Sequence, residues 1–231
     1  MMMRRALAGL GLALILSACA GGSDRETVST QAELFNTIRG INTARRDLEA
    51  RPPTPSRAQL DSRKAGLLEV SFEKRGLVAF LAPYSRRTDP LAGQIVVWRS
   101  TDGGQIVQRD GLLISTKGLG NDLASADIAG TQAALRQQHV HQSVNRTHYL
   151  RRDDNTQATL ALNCTIQTAG HETLTIVERQ FSTHHLRETC INGQGQAVND
   201  YWIDNSDGTI LKSRQWVGPE LGYLSFRLLK K

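Results

Sequence analysis

The sequence predicts a mainly β, antiparallel barrel-like or sandwich-like domain with a short N-terminal helix. Three observations carry this expectation. From Leu67 onward the chain breaks into short apolar runs, several alternating at period two. Tight-turn residues separate many of them. No long helical pattern sits between successive strands, which argues against a βαβ fold.

The chain opens on a different kind of segment. Met1 to Arg5 is short and positively charged, and Ala6 to Leu16 is an unbroken apolar run. That run is too short to cross a bilayer, which needs roughly 20 apolar residues, but it suits the core of an export signal. It ends in Leu16-Ser17-Ala18-Cys19, the order of a bacterial lipobox. The expected organisation is a signal peptide over 1–18, a lipidated tether over 19–30, and a single β-rich periplasmic domain over 31–231. Cys19 is the expected lipid attachment site. One acyl chain anchors a protein only marginally, so lasting attachment needs several. Ala20 follows the cysteine where enteric lipoproteins kept at the inner membrane usually carry Asp. The expected location is therefore the outer membrane, lipid-anchored, on its periplasmic face.

Composition bounds the partners. Residues 1–18 hold two of the 28 basic residues and none of the 22 acidic ones, which leaves the mature chain at +4. That mild charge is compatible with anionic lipid or glycan and gives no ground for a nucleic-acid partner. With aromatics at 5 %, a broad sugar-stacking platform is not expected, and Trp98, Trp202 and Trp216 are the candidates for any local one.

Within the domain, Thr30-x-x-Glu33 fits a capping box, and Leu34, Phe35, Ile38, Ile41 and Leu48 follow near helical spacing. Pro52, Pro53 and Pro55 end that helix. Strands are expected at 67–73, 76–82, 94–100, 105–109 and 112–116. A polar, partly helical stretch follows, with Asp122 as a possible cap for a short helix over 123–129. Strands resume at 147–151, 157–167, 172–181, 184–190, 198–203, 209–217 and 221–229. Thr101-Asp102-Gly103-Gly104 and Asp110-Gly111 read as hairpin turns. Leu224, Phe226 and Leu228 share one face of the last strand, and Tyr223, Ser225 and Arg227 the other.

Once Cys19 is set aside, Cys164 and Cys190 remain, and two cysteines in an oxidising compartment predict one disulfide. Cys164 falls in phase with Ala158, Leu160, Leu162 and Ile166, so it points with the core side chains.

Catalytic and metal patterns are missing from the sequence. His139, His141, His148, His171, His184 and His185 stand without acids at zinc-motif spacing and read as surface residues. There is no Gly-x-Ser-x-Gly. Lys117-Gly118-Leu119-Gly120 lacks the spacing and ending of a phosphate loop. No cofactor is expected.

Two blocks carry a resemblance. Trp98 to Asp127 (WRSTDGGQIVQRDGLLISTKGLGNDLASAD) and Asp200 to Lys230 (DYWIDNSDGTILKSRQWVGPELGYLSFRLLK) resemble the YjbF/GfcB lipoproteins of exopolysaccharide and group 4 capsule operons. The resemblance implies a β-barrel-like or sandwich-like domain. It implies a non-enzymatic outer-membrane lipoprotein that assists assembly or export of an extracellular or capsular polysaccharide. Its partners would be outer-membrane and periplasmic proteins of the export operon, with the polysaccharide itself a further candidate. A glycan-modifying periplasmic enzyme and a purely protein-binding adaptor are the alternatives. The candidate partner or glycan surface is Arg99, Asp102, Arg109, Asp110, Lys117 and Asp122, polar residues set among tight turns.

Cys19→Ala is expected to abolish fatty-acid labelling and release the chain from the membrane. Outer-membrane fractionation and labelling check this, and a variant still labelled and sedimenting with membrane would refute the anchor.

Overall fold

Short strands joined by tight turns bring each strand against its sequence neighbour, and the sheet is built that way. The protein, seen here as a computed structural model, is described over residues 52–137, 141–152, 154 and 156–231. The expected signal, Cys19, the tether and the helix over 30–51 lie outside these residues.

Helix α1 (Arg57–Ser62) precedes β1 (Leu67–Phe72), β2 (Leu77–Arg87), β3 (Ile95–Arg99), β4 (Gln105–Arg109), β5 (Leu112–Lys117) and β6 (Leu123–Asp127). Helix α2 (Ala129–Gln137) leads to β7 (Gln142–Arg151), β8 (Gln157–Ile176), β9 (Arg179–Asn192), β10 (Gly195–Asp204), β11 (Ile210–Gly218) and β12 (Gly222–Lys230). All twelve strands join one antiparallel sheet in the order β5-β4-β3-β2-β1-β12-β11-β10-β9-β8-β7-β6. The first and last strands pair directly, from Leu68 opposite Leu228 to Phe72 opposite Leu224.

The result is a nearly closed barrel whose seam lies between β5 and β6. Side chains bridge that seam. Ser115 Oγ donates toward Leu123 O at 3.2 Å and Ala124 O at 3.1 Å, and Thr116 Oγ1 accepts from Leu123 N at 3.0 Å. Near-closure removes most of the exposed strand edge that would otherwise template aggregation.

Alternation places one apolar face inside. Val70, Leu81, Trp98, Ile106, Leu113, Leu224 and Phe226 fill one part of the interior, and Leu162, Cys164, Ile166, Leu186, Cys190 and Tyr201 fill another. The expected phase of Cys164 with Leu162 and Ile166 holds, as does the two-faced pattern of β12. A third cluster lies on the outer face. Trp202, Leu211 and Leu229 are covered there by Leu60 of α1 and by Leu174, Ile176, Val177 and Phe181 from the far end of the β8–β9 hairpin. Helix α1 itself is closed by a capping box between Ser56 and Gln59.

Two elements differ from the sequence expectation. Leu123–Asp127 is a strand paired with β7, and the helix begins only at Ala129. Pairing overrides the weak helical pattern, with Leu123 buried and Ser125 and Asp127 exposed. Asp122 instead accepts from Gly118 N at 2.8 Å, Leu119 N at 3.2 Å and Thr116 Oγ1 at 2.7 Å, pinning the preceding turn. The break expected at 168–171 is a bulge inside β8, with Gly170 at φ +121°. The chain reverses later, at Val177 and Glu178, both with positive φ. A Val-Glu pair carries no turn signal, so nothing local marks that reversal.

Cys164 and Cys190 sit directly opposite each other on β8 and β9 and are joined, with a sequence separation of 26. Cys190→Ser is expected to destabilise the domain by about 3.5 kcal/mol, the loop-closure value for a loop of this length. Thermal and urea unfolding of oxidised protein check this. An unchanged midpoint would show that the bridge contributes no stability.

Candidate functional site

Successive hairpins put their turns at alternate ends of the barrel. One end carries the 88–94 loop, Asp110-Gly111, the 177–178 turn and the 205–208 turn. Helix α2 follows β6 at this end and packs into it. Thr131 Oγ1 donates to Glu188 Oε1 in the interior, and Gly130 approaches Val144 so closely that a Cβ would lie 2.9 Å from it.

Glu188 gathers the polar interior. Its Oε2 accepts from Arg146 Nη1 at 3.0 Å, Asn199 Nδ2 at 2.8 Å and the Tyr201 hydroxyl at 2.8 Å. Both side chains of the Arg146–Glu188 pair are fully buried, at 0 % exposure. Arg146 Nε donates to His148 Nε2 at 2.9 Å, which leaves Nδ1 to donate to Val217 O at 3.0 Å. Burial, with Arg146 beside it, lowers the His148 pKa from about 6.5 to about 3, so the imidazole is neutral. His148 thus departs from the surface expectation because its phase on β7 matches Val144 and Arg146. Apart from Arg146 Nη2, which has no partner among the described residues, the network is satisfied by the protein itself and holds the fold.

Beside it lies a cavity of about 520 Å³ between α2 and the barrel wall. That falls in the roughly 300–1,000 Å³ range of small-molecule pockets. Its floor includes Leu68, Trp98, Gln108 and Ser213, all buried. Its rim is exposed and charged, with Arg86, Arg136, Asp207 and Lys231. Asp110 also lines it, accepting from Gln94 N at 2.9 Å and Gln132 Nε2 at 2.9 Å. Lys231 beside Asp207 holds that carboxyl below the usual carboxylate range.

The structure divides the six candidate surface residues. Asp110 lies at the cavity. Arg99, Asp102, Lys117 and Asp122 lie at the other end, roughly 17 Å away along a five-residue strand. There Arg99 stacks on Tyr84, 5.0 Å from the ring centroid, and Asp102 accepts from the Ser100 hydroxyl within its turn. Arg109 is not an exposed turn residue. It is 6 % exposed and clamps Asp89 with two hydrogen bonds, 2.8 and 2.6 Å, fastening the 88–94 loop. That guanidinium holds the Asp89 carboxyl below its ordinary range. Arg86, Gln108 and Ser213 were not legible as site residues. Gln108 had one signal, a polar residue in phase with Ile106 on an inward face.

The family described as "Group 4 capsule polysaccharide lipoprotein gfcB, YjbF" matches residues 29–229. The chain belongs to this family. It is 30 % identical over 125 residues to the uncharacterized lipoprotein GfcB of Escherichia coli (strain K12), covering 52 % of this chain and 58 % of that relative. The chain therefore spans a little over half the length of that curated relative in the match. The crystal structure of the hypothetical lipoprotein YmcC from Escherichia coli (K12) superposes with a TM-score of 0.65 at 21 % identity, covering 85 % of this chain and 95 % of that one. That likeness establishes the shared fold.

Glu188→Leu, which strands Arg146 as a buried unpaired charge, is expected to cost about 3–5 kcal/mol in urea unfolding. A loss below about 1 kcal/mol would show that the network is dispensable. The depressed His148 pKa also sets a pH dependence. The unfolded imidazole takes up a proton near pH 6.5 and the folded one only near 3, so its contribution is complete above 6.5 and is lost as pH falls toward 3. Stability measured between pH 7 and 4 should fall, and His148→Gln should flatten that slope. An equally steep slope in the variant would assign the effect to other groups.

Proposed function

We propose that this protein is a non-enzymatic lipoprotein, anchored through Cys19 at the periplasmic face of the outer membrane, that assists assembly or export of a capsular or extracellular polysaccharide. The observation that carries this reading is the family match over 29–229. The lipobox supports the anchor, since a tether raises the concentration of the domain near membrane partners. Those partners are outer-membrane and periplasmic proteins of the export operon, and the polymer itself.

The cavity chemistry favours recognition over catalysis. Glycoside hydrolysis needs a carboxyl that keeps its proton near neutral pH. Asp207 is shifted the opposite way by Lys231, and Asp110 is engaged by Gln94, Gln132 and Arg136, whose Nη1 lies 3.9 Å away.

A deletion strain is expected to lose surface polysaccharide, to regain it with the wild-type chain, and to regain little with Cys19→Ala. Purified protein should leave the polymer's size and linkages unchanged. Normal surface polymer in the deletion strain would overturn the export role, and cleavage or modification by the purified protein would overturn the non-enzymatic one.

A further inference from the structure

We propose that the cavity between α2 and the barrel wall is a saccharide site selective for a sugar bearing a carboxylate, with Arg86 reading the charge and Trp98 and Gln108 reading the ring. The proposal deepens the polysaccharide reading above and rests on it.

The floor of the cavity carries unused hydrogen-bonding capacity. Trp98 on β3 pairs with Ile106 on β4, and Val96 pairs with Gln108, so Trp98 and Gln108 are diagonal neighbours on the inner face. Both line the cavity, and each is only 4 % exposed. The Trp98 indole N–H has no partner among the described residues. No hydrogen bond joins the Gln108 side chain to any described residue either. A buried indole N–H ordinarily finds an acceptor, and of the two orphaned indoles, Trp98 and Trp202, Trp98 is the one whose side chain lines the cavity. Gln108 adds a donor and an acceptor on one amide, the pairing that a sugar hydroxyl requires.

One cation of the rim, Arg86, faces no carboxylate side chain among the described residues. Arg136 faces Asp110 at 3.9 Å, and Lys231 is paired with both Asp207 and Asp204. Arg86 instead donates to the neutral Gln94 Oε1 at 2.8 Å and meets no carboxylate among the described residues. Its guanidinium lies 5.9 Å from the centroid of the Trp98 ring. The planar fork of Arg matches a carboxylate bidentately. A carboxylated sugar would satisfy Arg86 with its acid group, Gln108 with its hydroxyls and the indole N–H with a ring or hydroxyl oxygen. An acyl chain would leave both buried polar groups unpaired. Inorganic phosphate would satisfy the charge and leave the apolar part of the cavity unfilled.

The test is isothermal calorimetry on the full-length protein in detergent. The probes are oligogalacturonate, its carboxyl-reduced uncharged counterpart, and inorganic phosphate as competitor. Oligogalacturonate should bind, with the reduced sugar at least about tenfold weaker, the loss expected for one charge-assisted hydrogen bond. Arg86→Gln and Trp98→Phe should each weaken the acidic sugar by about tenfold on the same grounds. Arg99→Gln, at the other end of the barrel, should change nothing. Thermal melts of each variant separate lost binding from lost folding, and the exposed Arg86 supplies a variant that leaves the core intact. Equal affinity for the reduced sugar, equal competition by phosphate, or no binding by folded wild type would overturn the site. Absence of binding beside a deletion strain that loses its polymer would sink the site and leave the export role standing. Binding beside normal export would do the reverse.

Discussion

The buried carboxylate of Glu188 is the point to which the rest of the barrel is tied. It takes hydrogen bonds from α2 through Thr131, from β7 through Arg146, and from β10 through Asn199 and Tyr201. A charge at 0 % exposure is tolerable only when its lone pairs are filled, and here donors from three elements fill them. The same bonds fix α2 in the mouth of the barrel. Helix α2 in turn forms one wall of the cavity through Leu135 and Arg136. The structural network and the candidate site are therefore adjacent but chemically distinct. One binds Glu188 with donors from three elements, and the other opens onto a charged, exposed rim.

The second constraint is connectivity. Every ladder but one joins sequence neighbours, and β1 with β12 supplies the long-range closure. Such a meander sends successive turns to opposite ends, so nearness in sequence separates residues in space. Arg99 and Asp110 are eleven positions apart and belong to different ends of the barrel. The α2 end gains a buried floor and a charged rim. The other end is built of turns whose acids, Asp102 and Asp122, accept from their own loops.

Under the proposed function, membership in a capsule lipoprotein family and a cavity whose Arg86 faces no carboxylate among the described residues belong to one physical picture. On the same reading a membrane tether would restrict the domain to the neighbourhood of its export partners, where modest affinity suffices because local concentration is high. A half-buried pocket on a rigid barrel suits transient grip on a passing chain better than permanent storage. Its polar groups are held on strands, so little ordering entropy is lost on contact.

Much of this was legible in the chain alone. The antiparallel β character, the Asp110-Gly111 turn and the inward phase of Cys164 are local properties, set by turn chemistry and side-chain alternation. The β8–β9 reversal at Val177-Glu178 was not legible, because pairing across the hairpin imposes it against the local residue types. Nor was the burial of Arg146 and His148. A polar residue in an inward phase looks the same in sequence whether a partner awaits it or not, and Glu188 and Val217 are distant in the chain. The cavity depended on tertiary structure entirely. Leu68, Trp98, Gln108, Ser213 and Lys231 converge only when β12 closes on β1, so sequence determined the strands and their faces, while closure decided which faces meet.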